Sequence, residues 1–204
     1  MDASAFIPNP PTLDRLCKAA SRCTACPLHR HATQTVFGEG EPGARMMLVG
    51  EQPGDVEDHI GTPFVGPAGR LLDRALERVG LDREDTYLTN AVKHFKWAPR
   101  GKRRIHGKPN ASEIKACRPW LLAEIAAVKP EVILCLGATA AQTLLGSDFR
   151  VSKQRGEWID SDLAPKVMAT IHPSALLRIP GSAAREEAFT AFVADLAKAA
   201  GDDD

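Results

Sequence analysis

The chain has 204 residues, is 44% apolar, and balances 26 Lys and Arg against 26 Asp and Glu for a formal net charge of zero. That is enough apolar material for one substantial core, so a single globular domain over 1–204 is expected. No 18-residue apolar run occurs and the start, MDASAFIPNPPT, has neither a basic region nor an apolar core, which predicts no membrane span, no secretion signal and a soluble cytoplasmic protein.

In chain order, TLDRLCKAAS (12–21) spaces Leu13, Leu16, Cys17 and Ala20 at helical intervals behind a Thr12 cap, predicting a short amphipathic helix with Cys17 in the core. RMMLVG (45–50) is a compact apolar run ended by Gly, as a buried parallel strand is. AGRLLDRALERVG places Leu71, Leu72, Ala75, Leu76 and Val79 on one helical face and stops at Gly80. TYLTN (86–90) reads as a second strand. Asn110 or Ser112 caps a helix through SEIKACRPWLLAEIAAVK that Pro130 ends. EVILCLG gives a third strand leading into the helix ATAAQTLLG, and KVMATIH (166–172) a fourth. A last helix, about Ala183 to Ala200, turns Phe189, Phe192, Val193 and Leu196 inward, and GDDD (201–204) reads as a frayed, solvated tail.

Strands alternating with helices predict an α/β fold: a three-layer α/β/α sandwich around a four-stranded parallel sheet, since parallel neighbours need crossover connections. Ligands bind such sheets at the carboxyl ends of the strands. Chemistry is therefore expected in GEQPGD after the first strand, AVKHFK after the second and HPSALLR after the fourth.

Cys23 and Cys26 form a CxxC, with Cys117 and Cys135 further along. Four thiolates suit a tetrahedral zinc or a 4Fe-4S cluster, while Cys135, inside an apolar strand, also reads as an ordinary core cysteine. Glu51 and Gln52 project a carboxylate and an amide from a tight turn, and GTPFVGPAG supplies an aromatic, Phe64, between glycine-rich bends. KHFKWAPRGKRRIHGKPN (93–110) gathers Lys93, Lys96, Arg100, Lys102, Arg103, Arg104 and Lys108 around His106 without one Asp or Glu. A stretch of this kind marks a local field that nucleic acid responds to whatever the net charge.

CTACPLHR, GEQPGD, GTPFVGPAGRLLD, TNAVKHFK, KRRIH, ACRPWL, LGATAAQTLLG and HPSALLR, in that order, resemble the uracil-DNA glycosylase superfamily, its iron-sulfur family four, and most closely the UdgX-type branch. Gln52 and the KRRIH insertion carry the resemblance to that branch; family four typically has Gly at the former and lacks the latter. Families with Asp in the first motif match less well, because Glu51 stands here.

The resemblance implies a 4Fe-4S cluster on Cys23, Cys26, Cys117 and Cys135 and a substrate of uracil-containing DNA, single-stranded or duplex. It implies that Phe64 stacks on an extruded uracil, that Asn90 pairs with its N3-H and O4, and that Gln52, Gly54 and Asp55 shape the surrounding turn. His172 would donate to uracil O2 as the bond breaks, and Glu51 would stabilise the sugar cation or orient a nucleophile. Lys93, Lys102, Arg103, Arg104, Lys108, Ser174 and Arg178 would meet the DNA. The resemblance to the UdgX-type branch implies that His106 itself attacks C1' and remains attached; an imidazole attacks only when neutral, and the cations beside it disfavour a further positive charge. Two rivals remain: a turnover glycosylase in which water attacks, and a metal-containing nucleic-acid-binding module without catalysis. A monomer is expected.

Overall fold

The apolar run at 46–50 forms an interior strand of the main sheet in the computed structural model, which describes residues 2–201. The elements in chain order are α1 (Leu13–Ala20), β1 (Met46–Gly50), α2 (Asp55–Ile60), α3 (Pro67–Arg78), β2 (Thr86–Asn90), β3 (Trp97–Arg100) and β4 (Arg103–His106). There follow α4 (Ala111–Val128), β5 (Val132–Leu136), α5 (Ala138–Leu145), α6 (Val151–Gln154), β6 (Trp158–Ile159), β7 (Lys166–Thr170), α7 (Pro173–Leu176) and α8 (Ser182–Ala200).

The main sheet runs β2-β1-β5-β7-β6. Its first four strands are parallel, as the sequence predicts, and the fifth, β6, is antiparallel to β7. The expected count of four thus becomes five, because a two-residue edge strand is too short to leave a period in the sequence. Alternation along the strands feeds two cores. Met46, Leu48, Leu88, Leu134 and Met168 pack against Leu72, Leu76, Phe189, Phe192 and Leu196 of α3 and α8. Met47, Val49, Ile133, Cys135 and Ala169 pack against Leu121, Ile125, Ala140 and Leu144 of α4 and α5. Strands covered on both faces read as continuous apolar runs rather than alternating ones.

The far side of α4 supports a third core, in which Cys23, Cys26, Cys117 and Trp120 meet Leu16 and Ala20 of α1. Cys17 does not join it. An eight-residue helix buries one narrow stripe, here Leu16 and Ala20, and Cys17 is exposed beside it. Thr12 precedes α1 without a side-chain capping bond, whereas Asn110 caps α4 in a full capping box with Glu113. Of the tail, residues 202–204 lie outside the described residues.

Sheet order places the site. β1 passes to β2 on one side and its other neighbour is β5, so the chain's direction across the sheet reverses at β1. A crevice opens outside the carboxyl ends at such a switch point. Glu51 and Gln52 follow β1 there, with Thr139 after β5 and His172 after β7.

Candidate active site

Gly50 is the floor of the crevice. A Cβ on it would stand 2.3 Å from Asn90 Oδ1 and 2.6 Å from Phe64 Cζ, so a residue without a side chain lets the amide and the ring close over the strand end. Asn90 is buried at the end of β2, in register with Gly50, and among the described residues its side-chain amide has no hydrogen-bond partner. Phe64 is buried with a left-handed backbone, φ 56, a costly conformation for a bulky residue. Two features hold it. Arg83 donates to the carbonyls of Pro63 and Phe64 at 2.7 and 3.0 Å, and Gly69 of α3 gives the Phe64 carbonyl room, since a Cβ there would stand 1.7 Å from that oxygen.

The ring of Phe64 runs alongside that of His172, centroids 6.2 Å apart and planes 25° from parallel. His172 Nδ1 accepts from the Ser174 backbone N-H at 3.1 Å. That bond assigns the proton of the neutral ring to Nε2. Burial, with smaller contributions from His106 and Arg178, pushes the His172 pKa down to about 4, so at neutral pH the ring is an uncharged donor. Gly137 (φ +90) lets it sit close, because a Cβ there would come 2.9 Å from His172 Cβ.

The lowered pKa carries a pH signature. The unfolded chain takes up this proton near pH 6.5 and the folded chain only near 4, so the stability is intact above 6.5 and is lost as pH falls through that interval. About 2 kcal/mol is expected to go between pH 7 and pH 4.5, after discounting for the ring's partial exposure. Urea unfolding of His172→Gln over the same range should show a shallower loss than the parent; equal slopes would contradict this.

Glu51 points its Oε2 at the Thr139 hydroxyl, which donates to it, and its Oε1 lies 3.7 Å from His106 Nε2. His106 ends β4 of a hairpin, β3 paired antiparallel with β4 through a two-residue turn at Gly101 and Lys102. The basic stretch is therefore an ordered arm rather than a free loop, and it carries its histidine back to the end of β1. Gln52 fastens the arm: its Nε2 lies 2.8 Å from His106 Nε2 and donates to the Gly107 carbonyl at 2.9 Å, while its Oε1 accepts from Lys96 N at 3.0 Å. The side chain expected to shape a substrate turn is spent on the hairpin instead.

Arg104 differs likewise from its expected place on DNA. Its guanidinium donates to Asp55 Oδ1 at 2.5 Å and to the fully buried Asp58 at 2.7 Å, and it stands over Phe95 and Trp97. A guanidinium satisfied on all sides is a clamp between hairpin and α2. Asp55, expected near the base, is used in the same clamp. Arg104→Ala would strand the Asp58 carboxylate, and a loss of roughly 3 kcal/mol is expected in chemical denaturation, with Arg104→Lys recovering little of it; a loss below about 0.5 kcal/mol would mean an exposed pair.

Lys93 also departs from expectation. It is 1% exposed and paired with Glu124 inside the fold, so it does not face solvent. Lys102, Arg103, Lys108 and Arg178 are exposed around the crevice, and Gly54 opens α2. Sequence reasoning missed Thr139, Gly50, Gly137 and Arg83. Thr139 was within reach of the strand-end rule, since it stands just past β5 as Glu51 stands just past β1.

The thiols divide. Cys23, Cys26 and Cys117 share the third core, and two of the sulfurs are met by donors: Trp120 Nε1 to Cys23 at 3.3 Å and Lys93 N to Cys117 at 3.2 Å. Such N-H groups are what metal-bound thiolates require of their surroundings. Cys135 does not join them. It lies on β5 opposite Val49 and Ala169, in the core on the sheet side of α4. Among the described residues, no three His, Cys, Asp or Glu side chains stand close enough to share one metal ion.

Comparison with known proteins shows the family. The model of the Uracil DNA glycosylase superfamily matches residues 37–197. The chain is 45% identical over 158 residues to the Type-4 uracil-DNA glycosylase of Thermotoga maritima, covering 77% of this chain and 79% of that one. It is 38% identical over 175 residues to the Type-4 uracil-DNA glycosylase of Pyrobaculum aerophilum, 82% and 86% of the two chains. With the Type-5 uracil-DNA glycosylase of the same organism it shares 32% identity over 178 residues, 76% and 74% of the two.

Proposed function

The chain belongs to the uracil-DNA glycosylase superfamily, and from that premise we propose that it excises uracil from DNA at the crevice over Gly50. The observation that carries this is the free Asn90 amide beside Phe64 on the strand floor. An amide there offers an acceptor to uracil N3-H and a donor to O4, and cytosine presents the reverse pattern. Phe64 covers one face of the extruded ring. As the glycosidic bond breaks, C1' becomes cationic and the electron pair moves to the base. The Nε2-H of neutral His172 meets the charge on O2, and the Glu51 carboxylate, steadied by Thr139, faces the sugar. Exposed Lys102, Arg103 and Lys108 supply phosphate contacts on one side and Arg178 on the other.

A second step is supported by the hairpin alone. His106 Nε2 stands 3.7 Å from Glu51 and is held by Gln52, where a nucleophile approaching C1' would be. In this reading the Nε2 lone pair leaves the Gln52 N-H and forms the bond to C1', uracil leaves with the glycosidic pair, the ring gives up its Nδ1 proton to solvent, and the DNA stays attached. The relatives' names support excision and are silent on attachment, so water is the alternative attacker. A denaturing gel of the protein with a single-uracil oligonucleotide separates the outcomes. A retarded band means attachment, a strand cut by alkali at the former uracil means turnover, and an unaltered strand contradicts both.

The thiol-rich core supports a 4Fe-4S cluster held by Cys23, Cys26 and Cys117. Cys23, Cys26 and Cys117, buried in one core with N-H donors on Cys23 and Cys117, would be the residues to hold it. Cys135 supplies no fourth ligand from its place in the sheet. Bound there, such a group would tie the 23–26 segment to α4 through Cys117, leaving the chemistry to the residues after β1, β2 and β7.

A further inference from the structure

Lys93 lies three residues past the Asn90 assigned to reading the base, and its side chain folds back beneath it. The ammonium has three protons and three partners: Thr89 Oγ1 at 2.7 Å, the Asn90 carbonyl at 2.7 Å, and the Glu124 carboxylate. Glu124 is itself filled, accepting from Gly38 N, Tyr87 OH and Thr89 Oγ1 at 2.9 to 3.1 Å. Both residues are buried, at 1% and 0%. A pair so placed gains little stability over apolar residues of the same volume, because desolvation offsets the attraction. What it does supply is direction.

The peptide between Asn90 and Ala91 is gripped at both polar groups: its carbonyl by the Lys93 ammonium, and its N-H by the Gly50 carbonyl at 2.9 Å. Releasing that peptide would let the strand end and the Asn90 Cα shift, and with them the amide over Gly50. We infer that Lys93, with Glu124 as its counter-ion, is a positioning residue that sets the direction of the Asn90 amide and through it the recognition of uracil. This rests on the base-reading role proposed for Asn90. Meanwhile the backbone N-H of Lys93 donates to Cys117, so a side-chain change at 93 leaves the thiol's own hydrogen bond in place.

A double-mutant cycle tests the inference. Lys93→Met with Glu124→Gln removes both charges and keeps an acceptor for Gly38, Tyr87 and Thr89. Single-turnover uracil release should slow roughly ten- to a hundredfold, with absorbance in the blue and the unfolding transition retained. Asn90→Ala alone should slow release at least roughly a hundredfold. Combining all three changes should cost no more than Asn90→Ala, because a residue acting through Asn90 has nothing left to position. Multiplied losses in the combination would overturn the positioning role and leave the reading of Asn90 intact. Full activity of Asn90→Ala would overturn both. If the paired variant does not fold, Glu124→Gln enters the same cycle, with the same non-additivity expected on a smaller loss; failure of that variant to fold as well would assign the pair to the scaffold.

Discussion

His172→Ala is expected to release uracil roughly a hundred to a thousandfold more slowly at pH 7, the usual loss on deleting a hydrogen-bond donor to a developing oxyanion. The ring is fixed by three independent features: the Ser174 N-H on Nδ1, Phe64 along its face, and Gly137 behind its Cβ. Because the ring is neutral at that pH, it stabilises charge without surrendering a proton, so the rate should show no inflection near pH 6.5 assignable to it. Single-turnover kinetics with parent and variant check this, alongside an unfolding curve showing that the loss of the Ser174 contact has cost only about 1 kcal/mol. A loss below tenfold would shift the oxyanion's stabilisation to another group.

His106→Ser is expected to eliminate attached DNA altogether while uracil continues to be released. Serine has no free base at neutral pH and is too short to hold the contact with Gln52. The space beside Glu51 then admits water, whose proton Glu51 can accept. The retarded band should disappear and alkali-labile product should accumulate. An undiminished band from this variant would place the covalent bond elsewhere, and loss of uracil release along with the band would give His106 a part in breaking the glycosidic bond.

The parallel sheet was legible because short, largely buried five-residue strands and helices with one inward stripe leave separate periods. Glu51, Asn90 and His172 were legible because each lies at or just past the carboxyl end of a strand, and the sheet's order brings those ends together. The uses of charge were not. Lys93 and Arg104 read as part of one basic stretch, yet Glu124 and the Asp55–Asp58 pair that neutralise them lie 31 and more than 45 positions away. Nothing local announces such partners. Cys135 illustrates the same limit: its neighbours on β1 and β7, more than distance along the chain, decide that it faces α5 rather than the other thiols. Thr139 lay in plain view at a strand end, and its role becomes evident only once Glu51 is seen across the crevice.

Free uracil, measured by mass spectrometry after mixing the protein in excess with an oligonucleotide holding one uracil, tests the central claim most directly. The arrangement of Asn90, Phe64 and His172 predicts one equivalent of free base from that strand and none from the same strand with cytosine in its place. Binding of both strands with no base set free would contradict it.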